Sequence, residues 1–378
     1  MEKIYNLTET KFKTEEMSSA LFDVEKQEKL LTKVEKIKRD NEDVSVTCIV
    51  LLVDSEQMPA KDGSYNVDLL GNPMFQYVVR ACPSVPTCIK YNEGENILKA
   101  IKPYLKDTEY TLVLYSDTPL VTRANILNIL DFAKAKGLNV CKLTRGYVFK
   151  NEYIKRVDEV YAPSTYYFEE EDFMMAVSYK QLYIISEILK NRIVSFHMQN
   201  GVYFKAPDST YIDANVSIGA GTVIEPFVRM TGDTDVQENA FIGAGSTLIN
   251  AKIFSGAKIY GAYIDGGIVM EKAKIKNGAK LLSQTAVKEG VEIGEDSIIS
   301  NAIIEEYSMV GKNTIINYLN ADERVSIGDN CKIVGTEEKP CVMQKGSKLE
   351  DMVTLMQGVK VNEDVCIKMG EVLKAGDK

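Results

Sequence analysis

An aliphatic side chain returns at every sixth position between residues 212 and 248: Ile212, Ile218, Ile224, Met230, Val236, Ile242 and Leu248 share one unbroken phase. Two positions before most of them stands a small or β-branched residue (Val216, Thr222, Thr234, Ala240, Ser246), and Gly219 and Gly243 each follow an isoleucine directly. A period of six suits neither an amphipathic helix, whose apolar face recurs every ~3.6 residues, nor a strand, whose faces alternate. A coil with three short faces, in contrast, puts each sixth side chain at an equivalent inward position. The stretch is therefore expected to fold as a hexapeptide-repeat β-helix, a prism of stacked coils.

The pattern continues to the C-terminus with changes of phase. Val269, Ile275, Leu281, Val287, Ile293 and Ile299 form a second run, followed by Ile304, Val310 and Ile316, by Ile327 and Ile333, and by Leu349, Leu355, Val361, Ile367 and Leu373. Each slip reads as an insertion or bulge, and loops of repeat proteins cluster on one face, often the binding face. Ligand contacts within this half are expected near residues 260–267, 317–324 and 337–345. The pairs Gly219/Gly221 and Gly243/Gly245 lack the strand-to-helix context of a phosphate loop, so a turn role is expected for them.

The preceding half alternates differently. VSVTCIVLLVD, residues 44–54, is β-branched and nearly all apolar, as in a strand buried on both faces of a parallel sheet. Helix candidates FQYVVRAC, GENILKAIKPYL and ANILNILDFAKAKG then alternate with strand candidates TCIKY, YTLVLYSD and LNVCKL, which predicts a doubly wound α/β domain. In such sheets the ligand crevice lies beyond the carboxyl ends of the strands, where Asp54 and Asp117 fall. The acidic stretch EVYAPSTYYFEEEDF reads as a solvated edge because metal-ligand spacing is missing. A long helix candidate, SYKQLYIISEILKNRIVSFHMQN, leads into the prism. Residues 1–41 are dense in charge, with Leu21, Val24, Leu30, Leu31, Val34 and Ile37 near helical spacing, and read as a helical extension that packs on the next domain or on a protein partner. The domains expected are 1–41, 42–200 and 201–378.

Composition narrows the function classes. A formal net charge of -9 without a basic patch excludes a phosphate-backbone binder, so no nucleic-acid partner is expected. Seven scattered cysteines without a CxxC pair speak for a reducing compartment and against zinc. The longest aliphatic run, residues 48–53, is too short to span a bilayer, and the N-terminus lacks the apolar core of a signal peptide. A cytoplasmic protein without membrane contact is expected.

The residues His197, Met198, Asn200, Gly201 and Val202, followed by Pro207, Thr210, Tyr211 and Ile212, carry a resemblance. They are similar to the domain junction of the bifunctional N-acetylglucosamine-1-phosphate uridylyltransferase and glucosamine-1-phosphate acetyltransferase family, where a helix ends in His-Met-x-Asn-Gly-Val and Pro-x-x-Thr-Tyr-Ile opens a left-handed β-helix. Leu70 to Met74 and Leu114 to Leu120 resemble two further elements of that family, more weakly. The resemblance implies an α/β fold, a truncated doubly wound nucleotidyltransferase-like domain followed by a left-handed hexapeptide-repeat β-helix, and a homotrimer assembled through the β-helix. It implies nucleotidyl transfer, in which a sugar 1-phosphate attacks the α-phosphorus of a nucleoside triphosphate and pyrophosphate leaves. It also implies Mg²⁺ at Asp117 with Ser178 at the second metal position, nucleotide or sugar contacts from Lys61, Gly71 and Pro73, and a CoA or inter-subunit groove at Asn317 and Tyr318.

The chain departs from the family pattern at both centres. Where the family has a glycine-rich loop with an Arg and a Lys, it has Asp54-Ser55-Glu56-Gln57-Met58-Pro59-Ala60-Lys61, whose acidic pair would repel a triphosphate. Its single histidine, His197, belongs to the junction and not to the coils, where the family keeps an acetyl-transfer base, and Leu319 replaces an aspartate after Asn317-Tyr318. Acetyl-CoA is thus not expected as a cofactor. The connection from Asp117 to Ser178 is also shorter than the family's. Two functions stay open: an enzyme of sugar-nucleotide metabolism with weak or lost catalysis, and a non-catalytic trimeric pseudoenzyme that binds a sugar nucleotide or a protein partner. The glucose-1-phosphate adenylyltransferase group also joins such a domain to hexapeptide coils, but the junction motif speaks for the uridylyl family.

Overall fold

The computed structural model describes residues 45–160, 164–165 and 171–376. The helical extension expected over 1–41 lies outside the described residues, as does most of the acidic stretch that follows residue 160. The chain divides into two compact units between Phe196 and His197. No helix among the described residues is long and apolar enough to cross a membrane.

The first unit contains β1 (Val46–Leu52), β2 (Asp68–Leu69), β3 (Asn72–Pro73), α1 (Met74–Ala81), β4 (Thr87–Lys90), α2 (Ile97–Ile101), β5 (Tyr110–Tyr115), α3 (Arg123–Ala135), β6 (Val140–Leu143), β7 (Gly146–Lys150), α4 (Asn151–Ile154), β8 (Ser164–Thr165) and α5 (Tyr179–Gln199). Its six-stranded sheet runs β4-β1-β5-β7-β6-β8. β1 pairs in parallel with β4 and β5, whereas β7 runs antiparallel to both β5 and β6. Successive residues of β1 serve opposite cores because side chains alternate across a strand. Cys48 and Val50 pack with Val78, Ala81, Ile126 and Ile129, while Ile49 and Leu51 pack with Leu98, Ile101, Phe149 and Ile154. Helices on both faces make this a doubly wound layer architecture, as the alternating pattern predicts. The antiparallel strand β7 was not legible in that pattern. Leu143 pairs with Gly146, so Thr144 and Arg145 form the two-residue tip of a hairpin.

The second unit is a parallel β-solenoid, the left-handed hexapeptide β-helix of the expected fold. One face is a ten-stranded sheet of two-residue strands running from Tyr203–Phe204 to Cys366–Ile367. The other two faces join into a 17-stranded sheet, since the strands Ile298–Ile304 and Ile315–Ala321 pass round a corner without a break. The inward column is sealed: Ile212, Ile224, Met230, Ile242, Leu248, Ile259, Ile275, Leu281, Ile299 and Ile316 are all fully buried. Each contributes about 1.5–3 kcal/mol by leaving water.

The phase slips are mostly deletions, which corrects the insertions expected near 260–267 and 317–324. An ordinary corner has three residues between inward neighbours, as from Met230 to Thr234; the shortened ones have two, as in Leu248 to Ala251, Ile299 to Ala302 and Ile316 to Leu319. One left-handed residue turns each of these, Asn250 (φ 47°), Asn301 (φ 49°) or Tyr318 (φ 52°). Ordinary corners use the same kind of residue, as Gly232 (φ 67°) does between Met230 and Thr234, so the short corners keep the turn and lose one residue beside it. Only the passage from Ile333 to Met343 is lengthened, by a loop in which Thr336 and Lys339 exchange backbone hydrogen bonds of 3.1 Å.

Candidate functional site

The crevice at the carboxyl ends of β1 and β5 is built from two segments. Beyond β1 the chain makes a loop, residues 54–63, whose two ends are tied together by side-chain hydrogen bonds. The Ser64 N–H donates to Asp54 Oδ1 at 2.8 Å, and the Ser55 N–H donates to Ser64 Oγ at 2.9 Å. Ser64 Oγ in turn donates to the Val53 carbonyl at 3.3 Å, and Ser55 Oγ to the Val177 carbonyl at 2.5 Å. Met58, fully buried, anchors the middle of the loop. Gly63 sits at φ 97°, where a Cβ would come within 2.4 Å of the Tyr65 ring and 2.8 Å of Asp54 Oδ1. Only glycine lets the loop close this tightly. Beside it lies a cavity of about 410 Å³, lined by Asp54, Ser55, Lys61, Asp62, Ser64 and Lys90 among others.

Asp117 follows β5 and is 3% exposed. Arg145, at the tip of the β6–β7 hairpin, donates to it twice, Nε to Oδ1 at 3.2 Å and Nη2 to Oδ2 at 2.6 Å. Nη2 also reaches the carboxylate of Glu93. The guanidinium lies 4.1 Å from the centroid of the Tyr115 ring, and Tyr115 meets Tyr91 edge to face at 6.0 Å. Burial pushes the Asp117 carboxyl up, against the hydrogen bonds and charge of Arg145. Burial acts to lower Arg145, but its hydrogen bonds to Asp117 and Glu93 outweigh that and hold it above its ordinary value. Arg145 therefore stays charged, and the two-pronged geometry is that of an ionised pair.

The site residues named from the sequence are dispersed. Lys61 lines the cavity beside the β1 loop. Gly71 does not line it; with Leu70 it forms the positive-φ turn between β2 and β3, at φ 81° and 48°. Pro73 takes the N-cap position of α1. Ser178 caps the start of α5, accepting the Gln181 N–H at 3.4 Å and donating to Gln181 Oε1 at 3.1 Å. Asn317 accepts from Ser300 Oγ at 2.9 Å and from Asn301 Nδ2 at 3.4 Å, a stacked polar ladder along one corner of the coils. Tyr318 turns that corner, and its carbonyl is so close to Gly335 that a Cβ there would come within 2.2 Å. His197 is fully buried, and desolvation pulls its imidazole down to about 4 against a backbone interaction at Val216.

These residues, as arranged, do not offer a divalent cation open ligands. Mg²⁺ wants hard, accessible oxygens in near-octahedral array. Both oxygens of Asp117 accept from a guanidinium, and the Ser178 hydroxyl is committed to its helix. Among the described residues no group of three His, Cys, Asp or Glu side chains could hold a metal ion. Sequence reasoning missed Arg145, Glu93 and Lys90. The one available signal was the pair of apolar runs LNVCKL and GYVFK two residues apart, a hairpin spacing that places Arg145 at a tip.

No protein-family profile matches the chain. Its curated relatives carry the name Bifunctional protein GlmU. The protein from Alkaliphilus metalliredigens is 26% identical over 208 residues, 54% of this chain and 45% of its own length. The one from Enterococcus faecalis is 34% identical over 149 residues, 39% of this chain and 32% of its own. The one from Acetivibrio thermocellus is 24% identical across 74% of this chain and 76% of its own. The chain thus spans less than half the length of the first two. Among solved structures, the UDP-N-acetylglucosamine acyltransferase of Francisella novicida is 15% identical over 46% of this chain and 62% of its own, at a TM-score of 0.23, a superposition too loose to build on. By sequence the chain is similar to the GlmU proteins at modest identity, in keeping with the junction motif from His197 to Ile212.

Proposed function

We propose that this chain is a sugar-nucleotide protein of nucleotidyltransferase descent with weak or lost turnover, built as an N-terminal helical extension (1–41), an α/β domain (42–200) and a β-helix (201–378). It binds a sugar nucleotide at the crevice beyond β1 and β5 and assembles as a cytoplasmic homotrimer through the β-helix, with residues 1–41 available to a protein partner. Similarity to the GlmU proteins and the doubly wound frame support the ligand class.

The observation that carries the loss of turnover is the β1 loop. Nucleotidyl transfer needs backbone N–H groups open to the phosphates. Here the N–H groups of Ser55 and Ser64 are taken by Ser64 Oγ and Asp54 Oδ1. A phosphate brought within about 4 Å of the Asp54 carboxylate meets repulsion of about 4 kcal/mol per charge pair at an effective dielectric of 20. That is close to a thousandfold in rate or affinity. Lys61 and Lys90 on the same cavity offset it more fully for the two phosphates of a sugar nucleotide than for the three of a nucleoside triphosphate. Thermal shift with UDP-N-acetylglucosamine tests the binding: a rise in melting temperature that saturates with ligand is expected, and no shift up to millimolar ligand would rule this ligand class out.

A further inference from the structure

We propose that Arg145 is a built-in cation of the crevice: it holds Asp117 where a divalent metal ion would otherwise be bound, so that the α/β unit takes its anionic ligand without a metal. The proposal deepens the sugar-nucleotide reading in its second clause only, since the claim about Arg145 and Asp117 stands independently of which ligand binds.

The guanidinium is fixed from several sides. The β6–β7 hairpin is a two-residue turn whose register is set by the pairs Leu143 with Gly146 and Lys142 with Tyr147. Gly146 lies so close to β5 that a Cβ would come within 2.6 Å of the Val113 carbonyl, an approach only glycine allows. Tyr115 lies under the guanidinium at 4.1 Å. The side chain of Arg145 is only 18% exposed and that of Asp117 only 5%, so neither is a surface pair that water exchanges freely. Glu93, more exposed, closes the third side.

The same geometry says what Arg145 displaces. Without it, Asp117 and Glu93 would be two carboxylates directed at one point, which is the hard-oxygen donor set that Mg²⁺ and Mn²⁺ prefer. Metal entry in the native protein requires expelling a charged, two-pronged partner from a buried carboxylate, and one hexahydrated dication has no comparable hold on the site. Arg145 supplies a permanent positive charge beside Asp117.

Titration of the full-length protein with Mn²⁺, read by electron paramagnetic resonance, tests the proposal. The native protein is expected to bind no Mn²⁺ below about millimolar, whereas Arg145→Met gains one bound ion at least about tenfold tighter, and Arg145→Met with Asp117→Asn loses it again. A native protein that binds one Mn²⁺ ion which Asp117→Asn abolishes would overturn the proposal. So would a folded Arg145→Met that gains no affinity. Circular dichroism reports folding; should Arg145→Met not fold, Arg145→Gln replaces it and the native titration against Asp117→Asn still decides. The melting-temperature shift with UDP-N-acetylglucosamine, repeated in EDTA, is expected to be unchanged. Loss of that shift in EDTA alone contradicts metal-free binding, whereas absence of any shift sinks the ligand assignment and leaves the Mn²⁺ result standing.

Discussion

At the scale of single residues, burial decides what His197 and Asp117 can do, and in opposite directions. Burial penalises the charged form of each, lowering the imidazole and raising the carboxyl. For His197 the consequence is measurable. The unfolded chain protonates its imidazole near pH 6.5, the folded chain only near 4, so between those values the unfolded state binds more protons and stability falls as pH falls. The contribution is fully present above pH 6.5 and is lost as pH drops through about 4, roughly 3 kcal/mol in all. Urea unfolding followed between pH 7.5 and 4.5 should show this slope, and His197→Gln should flatten it; an undiminished slope in the variant would remove His197 as its source. The sequence placed His197 in a structural junction, and its full burial agrees with that reading. It could not pair Asp117 with Arg145. The two are 28 positions apart, one after β5 and one at the β6–β7 hairpin tip, and the antiparallel return of β7 along β5 brings them together.

At the scale of elements, the six-residue period was legible because each coil face contributes one inward side chain, and the same geometry explains the Gly-Ala-Gly pairs. In each pair the two glycines are needed for different reasons. A Cβ on Gly219 would come within 2.4 Å of the Glu238 backbone nitrogen in the next coil, and one on Gly243 within 2.8 Å of the Ile259 carbonyl. Gly221 and Gly245 instead occupy the left-handed region, at φ 75° and 70°, and Gly245 has open space around it. Gly219→Ala should therefore cost more than Gly245→Ala, about 2–3 kcal/mol against about 1 kcal/mol, since a backbone clash between coils cannot relax as a lone unfavourable φ can. Denaturant midpoints of the two variants check the order, and a Gly245→Ala that is the more damaging would contradict it. The slips were misread for a reason intrinsic to the period. A repeat fixes phase only modulo six, so losing one residue and gaining five look alike along the chain. The left-handed residue does not separate them, since the ordinary corner from Met230 to Thr234 carries one as well, Gly232 at φ 67°.

At the scale of the whole molecule, the two units differ in regularity. The coils are regular and sealed, and they carry exposed apolar side chains such as Ile303, Ile315, Val334 and Val372 that an assembly would cover. A homotrimer of 42.2 kDa chains should scatter light as about three times that mass, and a monomeric mass at micromolar concentration would contradict the assembly. The α/β unit has its sheet and helices, while the loop after β1 and Asp117 are both held by hydrogen bonds to neighbouring residues. Its frame was readable from alternating apolar runs; its closure was not, because it rests on hydrogen bonds between residues that the chain brings together only on folding. We propose that this internal closure leaves nucleotidyl transfer weak or lost. Pyrophosphate release from UTP with N-acetylglucosamine 1-phosphate and Mg²⁺, extended to ATP, CTP, dTTP and GTP with other sugar 1-phosphates, tests it most directly. The expected result is no release above the uncatalysed background for any pair, with UDP-N-acetylglucosamine still raising the melting temperature. Steady turnover with any pair, abolished by Asp117→Ala, would contradict it.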